Sequence, residues 1–157
     1  MKKIINPFDE EVNMCFGCGR KNPVGLRLDF FESDEGLHAE WQPTSQFQGY
    51  PNVLHGGIIA TLLDEIGAWC IYIKAETAGV TSEMRTKYLA PVYINKGKIS
   101  LHASILEKST RKARLVCRLY DGQEKLCAES HVDYFIYPND IAVKRLRYPG
   151  KEAFYEK

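Results

Sequence analysis

HGGIIATLLDEIGAWCIYI, residues 55–73, decides how the rest of the chain is arranged. The stretch is helix-length and free of proline, yet Ile58, Ile59, Leu62, Leu63, Ile66, Trp69, Cys70 and Ile71 spread round most of the helical circumference. A helix with almost no polar face must be wrapped by other elements. Asp64 lies within that apolar surface, and a carboxylate is seldom buried without a partner or a function. His55, Gly56 and Gly57 open the helix, so approachable backbone N–H groups sit at its positive end. An amide-lined terminus and a lodged carboxylate are two halves of hydrolytic chemistry. Gly57 and Asp64 are seven residues apart. They share nearly one face but stand ~10 Å apart along the axis, too far to touch one carbonyl. Two copies packed antiparallel across a two-fold axis would bring Gly57 of one beside Asp64 of the other, so the spacing predicts a composite site in a homodimer.

Working outward, the helix is expected to run from His55 to about Glu76 and to stop near Gly79. Upstream, LRLDFFES alternates in polarity, SDEG suits a hairpin turn, and Leu37, Ala39 and Trp41 carry a second strand back. QPTSQFQGYPNV then forms a long loop of the kind that usually has a function. Downstream, TSEMRTKYLAPV, KGKISLHASILEKS, RKARLVCRLY and EKLCAESHVDYFIY alternate and are joined by short turns, which predicts an antiparallel meander. Two strands, one buried helix and four strands give an α+β fold: an antiparallel sheet of about six strands curled round one long central helix. Residues 1–25 read as irregular, 26–137 as the domain, and 138–157, mixed and basic without clear period, as an extension that either packs on the surface or frays.

At 157 residues with a formal net charge of +1, the chain is one domain with no electrostatic footprint for nucleic acid. The N-terminus lacks the apolar core of a signal peptide, and no segment is expected to approach the ~20 apolar residues of a membrane span. A cytoplasmic location is expected. Of five cysteines, Cys70, Cys117 and Cys127 fall in apolar or alternating segments, as reduced core thiols do. Cys15 and Cys18 form the only C-x-x-C, half a zinc site without a second pair, and are read as a tight turn with no metal.

FQGYPNVLHGGIIATLLDEIGAW, together with CFGCGRKNPVGLRL upstream, resembles the hotdog-fold acyl-CoA thioesterases, in particular the branch acting on phenylacetyl-, hydroxybenzoyl- and longer acyl-CoAs. The family pattern is HGG, an acid nine positions after that histidine, and an aromatic-x-x-Pro signature; here these are His55-Gly56-Gly57, Asp64, and Tyr88-Leu89-Ala90-Pro91. The resemblance implies an acyl-CoA thioesterase that needs no cofactor, coenzyme A being part of the substrate, and that works as a homodimer or a dimer of dimers. Gly57 would donate its N–H to the thioester oxygen, an interaction worth ~3 kcal/mol. Asp64 of the other subunit would act as base or nucleophile. Thr81 aligns with a Ser/Thr that positions water or the acid, although its strand parity groups it with Glu83, Arg85 and Lys87 on a polar face. His55 orients the loop or the carboxylate rather than serving as base. Gly56, Asn52 and Tyr88 would line the substrate. Some relatives carry Asn or Gln six residues before the HGG histidine; here that position is Gly49, and Gln48 is taken to stand in. Gly49 also keeps open a non-catalytic acyl-CoA binding protein on the same fold.

Glu65 reads as a pairing or rim residue, and His38, His102 and His131 as surface or satisfied residues. Arg85, Lys87, Arg111, Lys112, Lys144, Arg145 and Arg147 are candidates for coenzyme A phosphates, with a solvated sheet face as the commoner role. Phe47, Tyr50, Trp69 and Tyr72 are expected to shape the far end of an acyl pocket.

Overall fold

The structure is a computed structural model that describes residues 1–8 and 13–157. Its centre is α1, Gly56–Cys70, which continues as one wider π-type turn over Ile71–Ala75. Leu62, Leu63, Ile66, Cys70 and Ile73 are wholly enclosed, because residues this apolar all round the axis leave no face for water. Gly56–Ala75 meets the bounds of a membrane span by length and composition, being 20 residues with a hydropathy of 1.4, contrary to expectation. Here that hydropathy belongs to a core helix wrapped by sheet. The helix stops at Glu76, which takes the left-handed conformation (φ 54), rather than at Gly79. Gly79 is already paired with Ile136 as the first residue of the next strand.

Around α1 runs a single antiparallel sheet of seven strands among the described residues, against the six expected. In chain order they are β1 Lys2–Ile4, β2 Asp29–Ser33, β3 Gly36–Trp41, β4 Gly79–Tyr88, β5 Ile99–Lys108, β6 Lys112–Tyr120 and β7 Leu126–Ile136. The additional strand, β1, falls in the segment read as irregular; residues 9–12 of that segment lie outside the described residues. In space the order is β1-β2-β3-β5-β6-β7-β4. The expected meander therefore holds for β5, β6 and β7, while β4 sits at the far edge, paired among the described residues with β7 alone. The helix is the crossover that takes the chain from β3 to that edge. This is the hotdog architecture that the resemblance implies.

Residues 138–157 pack instead of fraying. They form α2, Asn139–Leu146, and a short turn, Lys151–Phe154, that buries Phe154 and Tyr148 against Tyr72. Aromatic rings at irregular spacing make this contact, so no period in the sequence announces it. Ile5 N–H donates to Phe154 O at 3.0 Å, Lys2 lies over the Tyr155 ring, and the Tyr155 hydroxyl donates to Glu32. The two ends of the chain thus hold one another against the same side of α1.

Candidate active site

Asp64 lies two turns into α1, partly buried, with its carboxylate turned toward β4 and β7. Its Oδ1 accepts from Thr81 Oγ1 at 2.7 Å and from the Tyr134 hydroxyl at 3.0 Å; the same hydroxyl lies 2.8 Å from Asp64 O. Sheet register explains the convergence, since Thr81 and Tyr134 are directly opposed across β4 and β7. The ladder shifts between Thr81 and Glu83. That bulge corrects the parity expected from sequence: the extra residue turns Thr81 toward the helix while Glu83 and Arg85 face outward. Burial first, then the charge of Asp64, pushes the Tyr134 hydroxyl's pKa upward, which keeps it protonated and donating. Gly67 makes the room, because a Cβ there would lie 2.4 Å from the Tyr134 oxygen.

Tyr134 was missed as a site residue. Its alternation reads simply as core, but a buried tyrosine hydroxyl must find an acceptor, and that requirement was the available signal.

At the helix start, His55 is the N-cap, its Nδ1 accepting from Gly57 N–H at 2.9 Å. The amide expected to meet a thioester oxygen is therefore occupied by the cap. The preceding amide, Gly56 N–H, has no acceptor among the described residues, while Gly56 O accepts from the Tyr88 hydroxyl at 2.8 Å. Tyr88 is thus brought to the helix terminus. Asn52 is brought only near it: at φ 63 it exchanges hydrogen bonds with Asn95 and staples the loop. Gln48 is not brought to Asp64; its Oε1 accepts from Asn52 N–H at 3.2 Å. Gly49 packs against His55 and places no side chain six residues before the histidine of HGG.

The four aromatic residues expected to shape one pocket are dispersed. Tyr50 is exposed, Phe47 packs on Trp41, and Trp69 and Tyr72 line a cavity on another side of the helix. Arg85 lies beside Glu83 on the exposed surface and Lys112 over Phe135.

Residues 51–128 match the profile of the Thioesterase superfamily. The chain belongs to that superfamily. An uncharacterized protein of Schizosaccharomyces pombe is 39% identical over 61 residues, 38% of this chain, so the match spans about a third (35%) of that relative's length. Among solved structures, a thioesterase of Haemophilus influenzae superposes with a TM-score of 0.67 at 18% identity, covering 76% of this chain and 85% of its own. The BH2602 protein of Bacillus halodurans, solved with CoA, gives 0.58 at 22% identity over 63% of this chain and 70% of its own. At these identities the structural likeness speaks for the fold.

Proposed function

We propose that the protein is an acyl-CoA thioesterase whose site forms between two copies of the chain. The observation that carries this reading is the placement of both halves of the chemistry along β4. Thr81 at one end touches Asp64, and Tyr88 at the other touches Gly56. β4 is a ten-residue edge with no strand on its outer side among the described residues, and most of its own residues are exposed. Such an edge is a template for a further strand. Antiparallel pairing of two β4 edges about a two-fold sets the Thr81 end of one beside the Tyr88 end of the other. Asp64 of one copy then approaches the Gly56 amide of the second, answering the ~12 Å separation of these two residues along the helix of a single chain.

In this site Asp64 takes a proton from water, which adds to the thioester carbonyl; the oxyanion is received by Gly56 N–H at the helix's positive end, and the thiolate of coenzyme A leaves. Thr81 and Tyr134 hold the carboxylate with its free oxygen toward the water. The thioester is assigned to coenzyme A because the Bacillus halodurans relative was solved with CoA. Five free cysteines suit a reducing compartment, in keeping with a cytoplasmic enzyme.

The test follows thiol release from aromatic, short and long acyl-CoAs. Asp64→Asn is expected to lower turnover by about 10³-fold, within the range of a lost acid–base group; equal turnover would remove Asp64 from its role. Gly56→Pro deletes the unclaimed amide where helices accept proline, after a His55 backbone already extended at ψ 133. It is expected to be inactive too. Co-refolding the two dead variants should restore about a quarter of wild-type activity, since half the dimers are mixed and each has one intact composite site. No recovery would place both groups within one subunit.

A second reading, acyl-CoA binding without turnover, is favoured by Gly49, which supplies no side chain to orient a thioester. A rise in melting temperature with acyl-CoA and no thiol release would establish it.

A further inference from the structure

The side of α1 next to Asp64 carries a second cluster with no part in the mechanism above. Cys15, Cys18 and Glu65 each offer one ligand atom, and these atoms all lie within 4.8 Å of one another. Cys15 Sγ lies 3.5 Å from Glu65 Oε1. A tetrahedral zinc with Zn–S ~2.3 Å and Zn–O ~2.0 Å separates its sulfur and oxygen ligands by about 3.5 Å, so this edge of the polyhedron is already formed.

The turn that holds the thiols is pinned from several directions. Gly19 N–H closes on Cys15 O at 2.9 Å, Cys15 N–H donates to Asn13 Oδ1 at 3.1 Å, and Leu26 and Leu28 N–H donate to Phe16 O and Gly17 O. Ligands this constrained have little freedom left to lose on binding. Glu65 receives Trp69 Nε1–H at 3.1 Å, the kind of outer contact that fixes a ligating carboxylate, and no lysine or arginine pairs with it among the described residues. All three donors line one wall of a cavity of about 770 Å³.

We propose that Cys15, Cys18 and Glu65 bind a zinc ion, with the fourth coordination position open to that cavity and taken by water. This departs from the expectation of a metal-free turn. Three protein ligands and one exchangeable position are the pattern of reactive rather than purely structural zinc, and the thiolate pair selects zinc over magnesium or calcium. Binding displaces to solvent the protons that the two thiols and Glu65 still hold and leaves the site at net −1.

The experiment uses the full chain, reduced and stripped of metal, titrated with cobalt(II) and then with zinc(II). One equivalent of cobalt should bind, with a thiolate-to-cobalt charge-transfer band in the near ultraviolet and tetrahedral d–d bands in the visible, and zinc should displace it. Cys15→Ser and Cys18→Ser should each weaken the charge-transfer band. Glu65→Gln should keep that band while loosening the metal about 10-fold or more. Absence of a saturable band, or a band undiminished when both cysteines are serine, would overturn the assignment. Should the serine variants fail to fold, alkylation of the wild-type protein decides: zinc is expected to protect Cys15 and Cys18, and equal labelling with and without zinc would sink the site. None of these readouts depends on thioester turnover.

Discussion

Asp64 and Glu65 are consecutive carboxylates about 100° apart on one helix, and the fold gives them opposite surroundings. Asp64 faces the open β4 edge and accepts two hydroxyls, one from each of two paired strands. Glu65 faces the side closed by the chain termini, where its neighbours are an indole N–H and two thiols. Burial first, then the charge of Cys15, pushes its pKa up to about 7. Beside it, the hydrogen bond with Cys18 brings the Cys15 thiol down to about 5, while Cys18 itself is pushed up. The carboxylate proposed to serve the reaction thus lies beside the open strand edge, and its neighbour is enclosed where only a small ion or a cavity-sized ligand fits.

Each carboxylate also has a glycine that admits its partners, and these glycines offer the sharpest way to separate the two environments. At Gly67 a Cβ would lie 2.4 Å from the Tyr134 oxygen; at Gly17 it would lie 2.4 Å from Glu65 Cδ. Gly67→Ala is expected to drive the Tyr134 hydroxyl off Asp64 and to lower kcat by about 10²-fold, the scale of a disordered general base. Gly17→Ala should instead register as a fall in the urea midpoint worth about 1–3 kcal/mol, as overpacking does, and as weaker cobalt binding. If Gly67→Ala left kcat intact, the Tyr134 contact would be packing alone.

Smaller effects follow from single hydroxyls on the Asp64 side. Tyr134→Phe and Thr81→Val each delete one donor to Oδ1, and a hydrogen bond to a charged acceptor is worth about 1.5–3 kcal/mol. Each variant is expected to lose about 10-fold or more in kcat with KM held, because the carboxylate, not the substrate, loses its support. A rise in KM at constant kcat would mean that these hydroxyls meet the thioester directly.

What was legible in the sequence divides along the same line. The Asp64 side could be read because its parts obey local rules: an all-round apolar helix demands a wrapping sheet, HGG marks the helix start, and Thr81 lies near the start of the next strand. What escaped reading there was long-range. The bulge after Thr81 and the pairing of Thr81 with Tyr134 across 53 positions of sequence depend on β4 joining β7 and not β5. On the Glu65 side almost nothing is periodic. Cys15, Trp69, Tyr72, Tyr148 and Phe154 meet through the folding-back of both termini, and the closing contacts are aromatic rings and isolated hydrogen bonds. Glu65 reads as a rim residue because Cys15, Gly17 and Cys18, which press against it, come from the first twenty residues of the chain.

The last comparison is one of pH, and its sign differs between the metal-free and metal-bound protein. In the unfolded chain Glu65 gives up its proton near 4.5, whereas in the folded chain burial defers this to about 7. Between those values the folded state binds the extra proton, so raising the pH through the window removes stability. Cys15, brought down to about 5, acts in the opposite sense across the same window, so the Glu65 part is read as a difference: relative to Glu65→Gln, which has no proton to lose, the stripped wild type should lose melting temperature from about pH 5 to about pH 8. With zinc present the dependence reverses, because the ion takes the place of those protons and binds more tightly as they become easier to remove. Glu32 marks the contrast at the other end of the scale. Burial alone would raise it, but Lys74 and the Tyr155 hydroxyl together hold it below the usual carboxylate range, so its contribution is lost only as the pH falls below 4.5. A difference in melting temperature between stripped wild type and Glu65→Gln that stayed constant from pH 5 to 8 would show that water reaches Glu65 and that the terminal segments do not enclose it.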